Sequence, residues 1–375
     1  MKKILLVFGT RPEAIKMAPL VKEFKKNSDL FDTKVCVTAQ HREMLDQVLS
    51  FFELQPDFDL NLMKPNQNLH SLTGIIIEEL RKVIDDFHPD FIFVHGDTTT
   101  SMASSLSAFY SNITVCHVEA GLRTNNMYSP FPEEINRQIT SRISSFHFAP
   151  TKTSKDNLIK ENISKETILV TGNTVIDALF FSLNKIKEFS SDNIDFIESH
   201  IKNYKHIVLV TAHRRENHGA GFEKICSAIN ELASTEPNLI IVYPVHLNPK
   251  VKNTVTKYLS NRENILLVDP LSYPEFLWLM NKSKIVLTDS GGLQEEAPSL
   301  GKPVLLMRET TERPEAVNSG NVILVGTDKD LIIKETRSLL NDNNRYKEMS
   351  ELKNPYGDGQ TSKRIVDFIK KINNV

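Results

Sequence analysis

Short runs of β-branched and apolar residues alternate along this chain with longer amphipathic stretches, and that alternation limits the possible folds more than any other feature. The runs are Ile4–Phe8, Lys34–Thr38, Phe91–His95 and Thr114–His117, then Ile207–Val210, Ile240–Tyr243, Ile265–Val268, Ile285–Thr288, Val304–Leu306 and Val322–Val325. Strand, helix, strand repeats of this kind build parallel sheets with helices on both faces. The runs suffice for two sheets, and 375 residues are two to three times the ~100–150 residues of a single domain. The expected fold is therefore α/β, with two Rossmann-like doubly wound domains. The hinge is expected near Thr171–Thr174, giving domains 1–172 and 173–359, with the polar stretch Glu188–Asn203 between the two series of strands. A loose stretch, Asn341–Gly359, ends in Pro and Gly, which break helices. Beyond it Ser362–Ile372 reads as a last helix, and by fold analogy 360–375 packs back on the first domain.

Composition removes several classes of function. Apolar residues at 40% and charged residues at 25% are ordinary for a globular protein. With 45 basic against 47 acidic residues the net charge is -2, so no global field draws in nucleic acid or an anionic membrane. Any anion site must be local. Cys36, Cys116 and Cys226 stand singly in apolar surroundings, without the CxxC spacing of zinc or redox chemistry, and are expected to be buried thiols with no metal bound. The opening Met1-Lys2-Lys3 with Ile4–Phe8 resembles a signal peptide only as far as Gly9, where Arg11 and Glu13 follow, so it reads as a strand. No run approaches the ~20 apolar residues of a membrane span. A cytoplasmic location is expected.

Ligands of open parallel sheets bind at the carboxyl ends of the strands, and in this chain those ends are unusually charged. The first strand leads into Gly9-Thr10-Arg11-Pro12-Glu13-Ala14-Ile15-Lys16, which lacks the GxGxxG dinucleotide fingerprint. Arg11 and Lys16 either grip a pyrophosphate beside the helix N-terminus or belong to an ordinary exposed first turn. His95 leads into Gly96-Asp97, and His117 into Val118-Glu119, which brings two carboxylates to neighbouring strand ends. Glu133-Glu134 follows Pro130-Phe131-Pro132 at a helix start, where an acid is also a normal cap. Like charges facing one cleft raise one another's pKa and can set up an acid and a base.

The second half supplies cations and small residues. Thr211-Ala212-His213-Arg214-Arg215 forms an anion-facing cluster after one strand. Asp289-Ser290-Gly291-Gly292-Leu293-Gln294-Glu295-Glu296 follows another, and bare Ser-Gly-Gly amides at a helix start suit a diphosphate, although a Gly pair is also a common turn. Tyr273 and Phe276 stand where a planar base can stack or where core packing needs an aromatic. Arg313, before Pro314, is either a phosphate contact or half of an ion pair.

Taken together, these strings resemble the non-hydrolysing UDP-N-acetylglucosamine 2-epimerases. The matching pieces are GTRPEAIKMAPL at 9–20, VTAQHREMLDQV at 37–48, HGDTTT at 95–100, HVEAGLRT at 117–124, PFPEEINR at 130–137, VTGNTVIDAL at 170–179, TAHRREN at 211–217 and TDSGGLQEEAPSLGKPVLLMRETTERPEAV at 288–317. The resemblance implies a glycosyltransferase-B-like pair of Rossmann domains with the active site in the interdomain cleft, a homodimer, and no cofactor. It implies reversible epimerisation of UDP-N-acetylglucosamine to UDP-N-acetylmannosamine, by elimination of UDP to a 2-acetamidoglucal and re-addition, feeding surface polysaccharide synthesis. Carried over by position, Asp97, Glu119 and Glu133 match the acid/base carboxylates and His213 the catalytic, phosphate-binding histidine. Which carboxylate takes the C2 proton stays open. Arg11, Lys16, Ser290, Gly291, Gly292 and Arg313 match diphosphate contacts, Glu296 the ribose contact, and Leu271 with Phe276 the uracil pocket.

Some members carry a second nucleotide-sugar site, to which Gln40, His41, Gln67, Arg214 and His246 correspond. Glu43 and Asn66 stand here where those members have a glutamine and an arginine. Three other readings remain for the same residues: a UDP-sugar-dependent glycosyltransferase, a hydrolysing 2-epimerase, and a silent nucleotide-sugar sensor.

Overall fold

The structure is a computed structural model that describes residues 1–39, 42–62 and 67–374. Two compact units make up the chain, Met1–Phe181 with Tyr356–Val375, and Ser182–Pro355. The division falls inside the helix Thr174–Lys185, on the C-terminal side of the expected hinge.

The first unit holds β1 (Lys2–Phe8), β2 (Phe31–Val37), β3 (Phe58–Asp59), β4 (Phe91–His95), β5 (Thr114–Val118), β6 (Phe146–Ala149) and β7 (Ile168–Val170). They form one sheet in the order β3-β2-β1-β4-β5-β6-β7, with every pair parallel. Central parallel strands are covered on both faces, which explains why they read as unbroken apolar runs. Leu5, Val7, Ile92, Val94 and Val115 pack with Leu80, Val83, Ile84 and Phe87 of the helix Leu69–Phe87.

The helix Arg11–Lys25 begins with a capping box, in which the Thr10 side chain accepts from the Glu13 amide and Glu13 accepts from the Thr10 amide. It buries Ala14, Met17, Ala18 and Val21 at helical spacing. The last helix, Thr361–Asn373, packs against it, and Phe368 sets its edge on Phe146 and Phe148 at 5.3 and 5.7 Å.

The second unit holds β8 (His206–Thr211), β9 (Leu239–Pro244), β10 (Ile265–Val268), β11 (Ile285–Thr288), β12 (Val304–Leu306) and β13 (Val322–Leu324). Its order is β10-β9-β8-β11-β12-β13, again all parallel. Val208, Val210, Ile241, Tyr243, Leu287 and Leu305 form a core with Phe222, Ile225, Ile229 and Leu232 of the helix Ala220–Thr235.

Three strands were not signalled by the sequence runs: β3, β6 and β7. The stretch expected to be loose at 341–359 contains the helix Asn343–Ser350, which starts because Asp342 accepts from the amides of Asn344 and Arg345 at 3.0 and 3.1 Å. The polar stretch at 188–203 contains the helix Asp192–Ile201, capped by Ser191 and anchored by buried Ile194, Ile197 and Ile201. Strand order reverses between β1 and β4 in the first sheet and between β8 and β11 in the second. Each reversal opens a crevice at the carboxyl ends of the strands, where ligands of such sheets bind.

Candidate active site

At the first crevice the chain turns sharply out of β1. A Cβ on Gly9 would stand 2.0 Å from Thr38 Oγ1 and 2.6 Å from Thr100 Oγ1, and those hydroxyls bond each other at 2.9 Å, so no side chain fits. Buried Glu13 accepts from the amides of Gly9 and Thr10 at 3.0 and 2.8 Å and from the hydroxyls of Thr98 and Ser101 at 2.6 and 3.1 Å. It thereby ties the loop after β1 to the one after β4. Burial outweighs these hydrogen bonds and raises its pKa. Arg11 opens the helix, half-buried.

Asp97 and Glu119 follow β4 and β5. Gly96, at φ 65°, and Glu119, at φ 62°, both take the left-handed conformation. For a glutamate that costs on the order of 1–3 kcal/mol and is a mark of functional sites. The Lys16 ammonium is ion-paired to Glu119 Oε2, Asn173 Nδ2 donates to the same oxygen at 2.6 Å, and His95 Nε2 lies 3.7 Å from it. Asp97 is paired with Arg137, and its carbonyl accepts from Asn136 Nδ2 at 2.9 Å. Burial pushes the Asp97 pKa up; Arg137 opposes the rise and the Glu119 charge adds to it.

Glu133 and Glu134 open the helix Glu133–Ile143, and the structure separates their duties. Glu134 holds the preceding loop, accepting from the amides of Thr124 and Asn125 at 3.0 and 3.1 Å, and no side chain caps the helix. Glu133 Oε2 is buried without a hydrogen-bond partner, as expected of an atom that waits for a ligand.

At the second crevice Asp289, wholly buried, accepts from the amides of His213 and Arg214 at 2.8 Å each and from Asn217 Nδ2 at 3.3 Å. It fixes the loop after β8, with Oδ1 3.7 Å from His213 Nδ1. Burial lowers the His213 pKa, against the pull of Asp289. The His213 and His246 rings stack at 5.0 Å and 8°, and Arg214 Nε donates to the Asp289 carbonyl at 3.2 Å.

Ser290-Gly291-Gly292 precede the helix Leu293–Ser299. A Cβ on Gly291 would meet Arg313 NH1 at 2.7 Å and Glu312 Oε1 at 2.9 Å, so the guanidinium lies hard against bare backbone. Arg313 is itself ion-paired with Glu295 and Glu312. Burial raises the pKa of Glu312, yet Arg313 and Arg308 overcome it and hold the group at about 2. Gly292 lies beside Glu296, whose Oε2 would be 3.9 Å from a Cβ there.

Buried Leu271 and half-buried Phe276 lie beyond the edge strand β10, with β9 between them and β8. Gln67 Nε2 donates to the Leu62 carbonyl at 3.0 Å, while Gln40 and His41 lie outside the described residues.

The first unit thus gathers Lys16, Asp97 and Glu119, and the second gathers His213, Arg214 and His246, with Arg313 against Gly291. The sequence reading passed over Asp289, Arg137 and Asn173. For Asp289 a signal existed, since it is the first residue after β11. Arg137 stands one helical turn from Glu133 on the same helix, a spacing that also signals shared use of a face. Among the described residues no group of three or more His, Cys, Asp or Glu could hold a metal ion, and no helix is long and apolar enough to cross a membrane. The three cysteines are buried and unbonded.

Two doubly wound parallel sheets, with charged loops at both switch points and no glycine-rich dinucleotide turn, define a two-Rossmann enzyme of the glycosyltransferase-B-like class. Within that class, the chain belongs to the UDP-N-acetylglucosamine 2-epimerase family, whose sequence model matches residues 22–370. It is 54% identical over 374 residues to the UDP-N-acetylglucosamine 2-epimerase of Escherichia coli K12, covering 98% of each chain. Against the Salmonella typhimurium enzyme of the same name the identity is 55% over 370 residues, again covering 98% of each. The crystal structure of UDP-GlcNAc 2-epimerase from Neisseria meningitidis bound to UDP-GlcNAc superposes with a TM-score of 0.90 at 53% identity, covering 98% of this chain and 100% of that one.

Proposed function

We propose that this enzyme interconverts UDP-N-acetylglucosamine and UDP-N-acetylmannosamine. A base takes the proton from C2 as the C1–O bond to UDP breaks, which leaves a C1–C2 double bond in a 2-acetamidoglucal. UDP oxygen then returns to C1 while an acid delivers a proton to the opposite face of C2. Electrons balance without an oxidant, and the chemistry needs a carboxylate base, an acid and cations for the departing diphosphate.

The observation that carries this reading is the arrangement after β4 and β5, where Asp97 and Glu119 follow adjacent strands, each with its own cation, Arg137 and Lys16. Two carboxylates held in different surroundings suit an acid and a base. Glu133, with its unpartnered buried oxygen, completes the set. We assign the diphosphate to His213, Arg11, Lys16, Ser290, Gly291, Gly292 and Arg313, the ribose to Glu296, and the uracil to Leu271 and Phe276. Gln67, Arg214 and His246, with Gln40 and His41, form the proposed second nucleotide-sugar site. The enzyme works as a homodimer in the cytoplasm and supplies N-acetylmannosamine units for surface polysaccharide. Phe109 and Tyr110, 57% and 66% exposed at the end of the helix Thr99–Tyr110, support an apolar contact between copies.

Incubation with UDP-N-acetylglucosamine alone in heavy water tests the reading, with proton NMR following both sugars. UDP-N-acetylmannosamine carrying deuterium at C2 is expected. Free N-acetylmannosamine with UDP would mark a hydrolysing enzyme, and absence of any product would sink the assignment.

A further inference from the structure

Asn173 is 1% exposed and stands just before the helix Thr174–Lys185, where its polar groups are held in three directions. Its amide donates to the Tyr356 carbonyl at 2.7 Å, its Oδ1 accepts from the Val175 amide at 3.1 Å, and its Nδ2 donates to Glu119 Oε2 at 2.6 Å. The two chain segments around it are fastened to each other. Asp177 accepts from the amides of Thr361 and Ser362 at 3.1 and 2.7 Å, and the Thr361 hydroxyl donates to the Thr171 carbonyl at 3.2 Å. Gly172, at φ 93°, lies so close that a Cβ would stand 2.7 Å from Thr361 Oγ1 and 3.2 Å from the Tyr356 carbonyl. The side-chain amide is therefore aimed at Glu119 by main chain held on both sides of it.

The groups that face Glu119 include Lys16 from the helix after β1, His95 from β4, Asp97 from the loop that follows β4, and Asn173. Asn173 is a neutral donor in that set. Its contribution does not change with pH, and it fixes the glutamate at a backbone conformation that glutamates rarely adopt.

We propose that Asn173 is a positioning residue for the proton transfer at C2, whose side-chain amide aims Glu119 and favours its ionised form, the form that takes a proton. The proposal rests on the reading of Glu119 as a member of the acid/base set. It predicts a role for the fastened pair of segments, 171–177 and 356–362, that reaches the chemistry through one side chain.

Asn173→Asp tests it, since the change is nearly isosteric, keeps the acceptor for Val175 and sets a negative charge against Glu119 in place of a donor. With UDP-N-acetylglucosamine, kcat is expected to fall about 10–100-fold, in the range of lost acid–base assistance, with KM within about threefold. The acidic limb of the kcat–pH profile should move up by about one unit. In parallel, carboxyl-13C-glutamate NMR of the free enzyme follows the titration of Glu119, assigned with Glu119→Gln, and its midpoint should move up as well. If the aspartate variant fails to fold, Asn173→Ala removes the donor without adding charge and should move the same midpoint in the same direction. A folded variant with an unmoved Glu119 midpoint and kcat within about threefold of the parent overturns the proposal. If the parent enzyme makes no UDP-N-acetylmannosamine, the catalytic reading fails by itself, and the NMR midpoint still reports whether Asn173 sets the state of Glu119.

Discussion

Both sheets place acids at their switch points, but the two units use them in opposite ways. In the first unit Asp97 and Glu119 follow the strands directly, each held by a cation, and burial pushes the Asp97 pKa up. In the second unit Asp289, Glu295 and Glu312 are scaffold. Asp289 Oδ2 accepts from two backbone amides while Oδ1 lies 3.7 Å from His213 Nδ1, and Glu295 and Glu312 clamp Arg313; Glu312 is held at about 2 despite burial. On the proposed reading one topology carries the proton transfer in the first unit and most of the grip on the diphosphate in the second; Asp97 and Glu119 each face one cation, whereas Glu295 and Glu312 both hold the single guanidinium of Arg313.

The sharpest way to break this comparison is to neutralise the first-unit acids. Asp97→Asn and Glu119→Gln are expected to lower turnover by at least about 100-fold while UDP affinity, measured by calorimetry, changes by a few-fold at most. Near-normal turnover in both variants would remove these residues from the mechanism. A collapse of UDP binding in either would erase the division between the units.

Asp289→Asn asks the reverse question of the second unit. The isostere keeps its shape but loses the charge of a wholly buried carboxylate that two amides point at, so stability should fall by about 1–3 kcal/mol. UDP affinity should fall about tenfold, because His213 and Arg214 are no longer fixed, with a smaller change in kcat. Gly291→Ala should weaken UDP binding through a different route, since the added methyl displaces the Arg313 guanidinium. A variant of either kind that loses turnover with UDP affinity intact would place second-unit residues in the proton transfer.

The contrast between the units also explains what could be read from the chain. The long central strands were legible because burial on both faces makes them continuous apolar runs, as in Ile4–Phe8 and Ile285–Thr288. The unsignalled strands are short and lie outside the centre of the first sheet, and β6 carries a histidine, His147, within four residues. Such segments become strands through the neighbour they pair with. Positions at strand ends were legible for the same reason as the strands, so Asp97, Glu119 and His213 stood out as the charged residues that follow apolar runs. Their partners did not. Arg137 is 40 residues from Asp97, Asn173 54 from Glu119, and Asp289 76 from His213. Local pattern carries no information about which distant segment folds alongside. The ambiguity at Glu133 was of another kind, because capping and catalysis ask for the same residue type at a helix start, and only the structure shows that no side chain caps this helix and that Glu133 Oε2 has no partner.

The smallest expected effect concerns acid stability and separates the units by pH window. Burial lowers the pKa of His117 to about 3, while in the unfolded chain it returns to about 6.5. The neutral ring donates from Nε2 to the Gly96 carbonyl at 2.8 Å and so supports the turn that carries Asp97. Because its folded pKa is depressed, the unfolded state binds the proton first. The ring's contribution is complete above pH about 6.5 and is lost as pH falls towards 3. Glu312 is also depressed, from an unfolded value of about 4.5, so its contribution is complete above that value and is lost progressively as pH falls from about 4.5 through 2. His117→Gln keeps an N–H donor near the position of Nε2 and cannot take up the proton. Melting followed from pH 7 to 5 should show the parent losing about 1 kcal/mol per pH unit below 6.5 relative to this variant, whereas Glu312→Gln should track the parent throughout that range. Parallel curves for the parent and His117→Gln would mean that the histidine is not buried in its neutral form, and the support it gives to the Asp97 turn would have to come from elsewhere.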